Sequence, residues 1–215
     1  MPQTAPLSLL EARILGVLVE KKLTVPDTYP LTLNALTAGC NQKTSRDPVM
    51  NVSDAEVLAA LEALRARTLI VESSGGRVSR YSHNMEKGLQ LPGQSVALLT
   101  TLMLRGPQTV AELRANSERL HRFLDSSAVE GFLDELASRP DDPFVVLLPR
   151  APGSRESRWA HLLCGEPDIP APSAAPARVD PDELAVLRQD VARLEGEVAE
   201  LRAALSRVYT ELGLQ

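Results

Sequence analysis

The chain has 215 residues, enough for one or two domains; 44% of them are apolar and only 3% aromatic, so Leu, Val and Ala must fill its cores. Its net charge of −5 argues against a generic polyanion binder. The start, Met1 to Pro6, lacks a signal-peptide pattern, no apolar run approaches the roughly 18 residues of a membrane span, and Cys40 and Cys164 read as two reduced thiols rather than a disulfide framework or a zinc pair, so a cytoplasmic protein off the membrane is expected.

Ser8-Leu9-Leu10-Glu11 is a capping box, in which a hydroxyl and a carboxylate satisfy the orphan donors of a helix start. The helix it opens carries Leu10, Ile14, Leu15, Val17 and Leu18 and ends near Lys21-Lys22. Pro30 suits the first position of a second helix, where its missing N–H costs nothing. That helix carries Leu31, Leu33 and Leu36 and stops near Gly39. The stretch Cys40 to Asn51 is long for a turn between two helices. It either docks a partner or wraps the first domain with Val49 and Met50 as plugs. Ser53-Asp54-Ala55-Glu56 is a second capping box, followed by an apolar stripe of Val57, Leu58, Leu61 and Leu64. Thr68 to Val71 predicts a strand, Gly75-Gly76 a hairpin turn, and Arg77 to His83 the return strand.

The same unit recurs. Val96, Leu98, Leu99, Leu102 and Leu104 predict a first helix, Gly106-Pro107-Gln108 turns the chain, and Thr109-Val110-Ala111-Glu112 caps a second. Arg114 to Asp125 bridges to a third helix, with a capping box at Ser127-Ala128-Val129-Glu130 and a stripe of Val129, Phe132, Leu133 and Leu136. Phe144 to Leu148 is a strand, Ala151 to Ser154 a turn, and Arg158-Trp159-Ala160-His161 closes the ribbon as Arg80-Tyr81-Ser82-His83 closed the first. A repeat of helices feeding a two-stranded ribbon predicts a mainly α fold with small β-wings (α+β): two tandem winged helix-turn-helix domains, 1–90 and 91–165.

Three ordered motifs carry a family resemblance: Asn41 to Met50, Leu104-Arg105-Gly106-Pro107-Gln108-Thr109 with Glu112-Leu113-Arg114, and Pro152 to Arg158 with His161-Leu162. Through them the chain resembles the YceH-like family of uncharacterised bacterial proteins over about residues 7 to 166. The resemblance implies two tandem winged-helix domains and carries over no activity and no catalytic residue.

Residues 166–180 contain Pro167, Pro170, Pro172 and Pro176 and predict an extended linker. Beyond it, Leu184, Leu187, Val191, Leu194, Val198, Leu201, Leu205, Val208 and Leu212 alternate three and four residues apart. That a/d register predicts a coiled-coil helix over 181–213 and a homodimer. A lone amphipathic helix folded back onto its own chain is the alternative.

Catalysis finds little support. His83 and His161 occupy equivalent places in the two ribbons, and no acid or nucleophile recurs beside them. No phosphate loop, nucleophile elbow or metal-helix motif is present, so a non-enzymatic protein without cofactor or metal is expected. Duplex DNA is the default partner of a winged helix, whose third helix enters the major groove. Here that helix carries Asp54, Glu56 and Glu62 in the first copy and Glu130, Asp134 and Glu135 in the second, which phosphates would repel. The basic candidates lie elsewhere: Lys43 and Arg46 in the first long loop, Arg114, Arg119 and Arg122 in its counterpart, and Arg77, Arg80, Arg155 and Arg158 in the wings. Gathered on one face they predict a DNA-associated regulator binding through loops and wings. Scattered, they are solvated charges, and the acidic third helices and coiled coil describe a protein-interaction adaptor instead.

Overall fold

The computed structural model describes residues 6–74, 78–140, 142–150 and 153–167, with Arg193, Gly196 and Arg202 as isolated helical positions further on. The coiled-coil seam and the Gly75-Gly76 turn lie outside the described residues. Met1–Ile169 forms one compact unit and Pro170–Gln215 another. No helix among the described residues is long and apolar enough to cross a membrane.

The first half runs α1 (Leu9–Thr24), a short β1 (Leu31–Thr32), α2 (Leu33–Cys40), α3 (Asp54–Ala66), β2 (Ile70–Ser73), β3 (Arg80–His83) and a single turn, α4 (Met85–Gly88). The second repeats the plan with α5 (Gly93–Arg105), α6 (Val110–Ser117), α7 (Ser126–Ala137), β4 (Val145–Leu147) and β5 (Trp159–His161). β1, β3 and β2 make one antiparallel sheet, β4 and β5 another. The third position of the first sheet has a counterpart in the second: Gln108 bridges Trp159 where Leu31 pairs with Tyr81. The architecture is mixed α+β, with three helices and a hairpin written twice.

Local chemistry explains the starts. The capping boxes at Ser8, Ser53 and Thr109 form as read from the sequence. Two expectations change. Pro30 does not begin a helix: it precedes β1, and the Thr32 hydroxyl caps α2 by accepting from Ala35 N–H at 3.4 Å. Nor does Ser127 cap α7. The Asp125 carboxylate accepts from Ala128 N–H at 2.9 Å and from the Ser127 hydroxyl at 2.7 Å, so the helix begins earlier. A carboxylate suits the positive end of a helix better than a hydroxyl does.

The two halves are joined through their first helices. α5 is buried from Ser95 to Leu104 and α1 from Glu11 to Val19, and they pack on one another. One hydrophobic cluster runs from Leu7 through Leu98 and Leu99 to Trp159. Each fully buried Leu in it contributes about 1.5–3 kcal/mol. The approach is close enough that a Cβ on Gly16 would meet Leu104 at 2.8 Å. The chain ends of the unit also meet, since Leu7 N–H donates to the Leu163 carbonyl at 2.7 Å.

The helical stripes match the buried faces with one exception. Val57, Leu61 and Leu64 of α3 are buried, and so are Val129, Leu133 and Leu136 of α7. Leu58, expected in the stripe, is 42% exposed. The loop residue Val49 is likewise no plug, at 58% exposed, whereas Met50 is half-buried.

Candidate nucleic-acid interface

The nine candidate cations separate by what they touch. Arg46 faces inward, with no exposed side-chain surface, and so has no charge to offer a phosphate. Its guanidinium donates to both Glu20 oxygens, at 3.2 and 2.6 Å, and to the Gly39 carbonyl at 3.3 Å. Burial pushes the Glu20 carboxyl up. The hydrogen bonds and charge of Arg46, helped by Lys21, outweigh that and hold it below its usual range.

Arg80 and Arg158 hold equivalent places and make the same contact. Arg80 donates to the Pro30 carbonyl at 2.7 Å, and Arg158 to the Pro107 carbonyl at 2.9 Å. Each ties a hairpin to the turn before the second helix. Arg158 also grips Glu112 through both guanidinium nitrogens, at 2.7 and 2.9 Å. The Thr109 N–H first, and then Arg158, keep the Glu112 carboxyl below its ordinary range. Arg114 donates to the Leu124 carbonyl at 3.1 Å. Lys43, Arg119, Arg122 and Arg155 are exposed and make no ion pair among the described residues. Arg77 lies outside the described residues.

Two clefts take up Arg114, Arg119 and Arg122, and Lys43 and Arg155 line neither. One, of about 320 Å³, is lined by Arg114, Glu118, Arg122, Phe123 and Ser126. The other, of about 260 Å³, brings Gln42 and Ser45 of the first long segment against Arg119 of its counterpart. Lys21 from α1 and Arg105 from α5 line it as well. Sequence reasoning passed over both, because each reads as an ordinary basic residue at a helix C-terminus. The two loops therefore share a cleft, and Arg80 and Arg158 are held against their own modules.

The segment 41–52 is a brace. Arg13, 1% exposed on the otherwise apolar face of α1, donates to the carbonyls of Cys40 and Pro48 at 3.3 and 2.8 Å. Burial, and then the charge of Arg46, lower its pKa. The Asn41 amide pairs with the Val52 backbone on both sides, at 2.8 Å each. Asp47 N–H donates to the Leu104 carbonyl at 2.8 Å, fastening the segment to the second half. The signal was legible: a cation at position 13 inside an apolar run demands buried acceptors.

The third helices turn their acids outward. Asp54, Glu56 and Glu62 on α3 and Glu130, Asp134 and Glu135 on α7 are all exposed. Their cations are engaged: Arg65 pairs with Glu72 at 3.0 Å, and Arg139 lies 5.1 Å over the Phe144 ring. His83 and His161 are each held neutral, with pKa lowered to about 4 chiefly by burial, and one nitrogen of each is buried without a protein partner. Among the described residues no cluster of His, Cys, Asp or Glu is placed to hold a metal ion.

A family model described as a protein of unknown function, DUF480, matches residues 7–154. The chain belongs to the DUF480 family. A UPF0502 protein of Leptothrix cholodnii is 58% identical over 98% of this chain and 97% of the relative. Another, of Delftia acidovorans, is 56% identical over the whole chain and 96% of the relative. A third, of Burkholderia ambifaria, is 58% identical over 95% of the chain and 89% of its own length. These DUF480 relatives are uncharacterised bacterial proteins, in keeping with the YceH-like resemblance, and the similarity extends through the proline-rich stretch and the C-terminal heptads.

Proposed function

We propose that this DUF480 protein is a non-enzymatic tandem winged-helix protein that works by binding another protein through its two third helices. One observation carries this reading: the two third helices, which a winged helix would present to a duplex, hold six exposed carboxylates, and Arg65 and Arg139 at their ends are engaged. A phosphate backbone is repelled by such a face, and a basic partner segment is attracted to it. The exposed Leu58 among the α3 acids supplies an apolar contact of the kind that anchors interfaces. The buried, neutral His83 and His161 favour a packing role over an acid–base one.

A duplex titration at low salt tests the choice. Replacing Glu62, Asp134 and Glu135 by Arg should raise DNA affinity by about tenfold or more, because like charges become phosphate partners. Wild-type protein that already binds tightly, with a steep salt slope that these replacements do not deepen, would sink the protein-partner reading. The runner-up, a DNA-associated regulator, is favoured by one feature only, the basic cleft where the two loops meet. In both readings the heptads of 181–213 join two chains, and deleting 180–215 should halve the solution mass.

A further inference from the structure

We infer that the cleft between the two halves is a binding site for a phosphate group. It concerns the seam and not the third helices, so it stands apart from the proposed function. Three cations from three elements meet there: Lys21 from α1, Arg105 from α5, and Arg119 from the segment after α6. The one carboxylate lining the cleft is Glu20, and it is already taken. Its Oε1 accepts from Arg46, and its Oε2 from Arg46 at 2.6 Å and from Lys21 at 3.1 Å. Arg46 and Lys21 share the single charge of Glu20, so with Arg105 and Arg119 four cations meet one carboxylate, an excess of three.

Their hydrogen-bond partners say the same. Arg105 donates to the Ser45 hydroxyl at 2.9 Å, a neutral acceptor. That hydroxyl keeps its own proton for a further acceptor. Arg119 is exposed and makes no hydrogen bond or ion pair among the described residues. Ser45 itself sits at φ 58°, a backbone conformation that a residue with a Cβ holds at a cost. This concentration of positive charge occurs in a protein of net charge −5, so overall composition does not account for it.

The ligand class follows from count and size. A monocarboxylate would match one cation and leave two facing each other. A phosphate carries more than one negative charge and three or more acceptor oxygens, and arginine forks fit it. The cleft, at about 260 Å³, lies just below the range of roughly 300–1,000 Å³ typical of drug-sized ligands. It suits a phosphate with a small appendage, or one phosphate of a nucleic-acid backbone. Because its walls come from α1, α5 and both loop segments, a bound phosphate would also cross-link the two halves.

Calorimetric titration of the full chain with sodium pyrophosphate at low salt tests this. Saturable binding is expected, weakened roughly ten- to hundredfold in Arg119→Ala, whose side chain supports nothing else. Arg155→Ala, an unpaired cation in the second hairpin, should bind as the wild type does. No saturable binding by the wild type, or equal weakening in the two variants, would overturn the site. A short duplex added in competition separates the sources. Displacement of pyrophosphate assigns the cleft to a nucleic-acid backbone, and retention assigns it to a small phosphorylated molecule.

Discussion

The segment between the second and third helices is built oppositely in the two halves. In the first it is nailed down: Arg13 of α1 is buried beneath it, its own Arg46 is turned inward onto Glu20, and Asn41 clasps its far end. In the second it is shorter and lies on the surface. Phe123 is buried against His121, with ring centroids 4.7 Å apart, Leu124 is 86% exposed, and Arg119 and Arg122 face solvent. One plan thus serves two purposes. The first copy spends its loop on cohesion, and the second leaves its loop open to contact.

The sharpest way to break that comparison is to remove one arginine from each. Arg46→Ala leaves the largely buried Glu20 with Lys21 alone and should cost about 3 kcal/mol, the low end for a broken buried pair, seen as a lower urea midpoint. Arg119→Ala should change the midpoint by less than about 0.5 kcal/mol. Equal losses would mean that the second segment is as structural as the first.

The histidines give the next effect. Both have folded pKa near 4, below the unfolded value of about 6.5, so the unfolded chain takes up the protons first. Their contribution is complete above about pH 6.5 and is lost as pH falls toward 4. Within that window each should remove about 1.4 kcal/mol per pH unit. Measured between about pH 6.5 and 5, above most carboxylates, His161→Gln should roughly halve the slope if the two copies carry equal shares.

The smallest effects sharpen the one place where the helix starts differ. Asp125→Ala should lower the thermal midpoint, and Ser127→Ala should lower it less. The reverse order would restore the serine as the cap of α7.

Much of this was written in local sequence. Among the described residues, three capping boxes, the helical stripes and the paired Arg-aromatic-x-His endings placed the three helices and the strand pair of each half. Most of what escaped depends on distant partners. Leu58 obeys the helical period, yet no neighbour covers it. Ser127 has the spacing of a cap, but Asp125 takes that place two residues earlier, accepting from Ala128 N–H, and its charge suits the helix start better. Arg46 looks like a loop cation, and only the fold brings it to Glu20. The phosphate cleft needs Lys21 beside Arg105 and Arg119, which lie more than eighty residues further on, and no short window along the chain sees them together.

The packing of α5 on α1 has a mechanical consequence. With no flexible joint between the halves, the two acidic helices cannot search independently, as beads on a string would. On the proposed protein-binding reading they form a gauge of set span, and a target would have to offer two complementary patches at that span or be held by one alone. Loosening the gauge at Gly16, where the two helices come nearest, would change which partners qualify without altering either binding face.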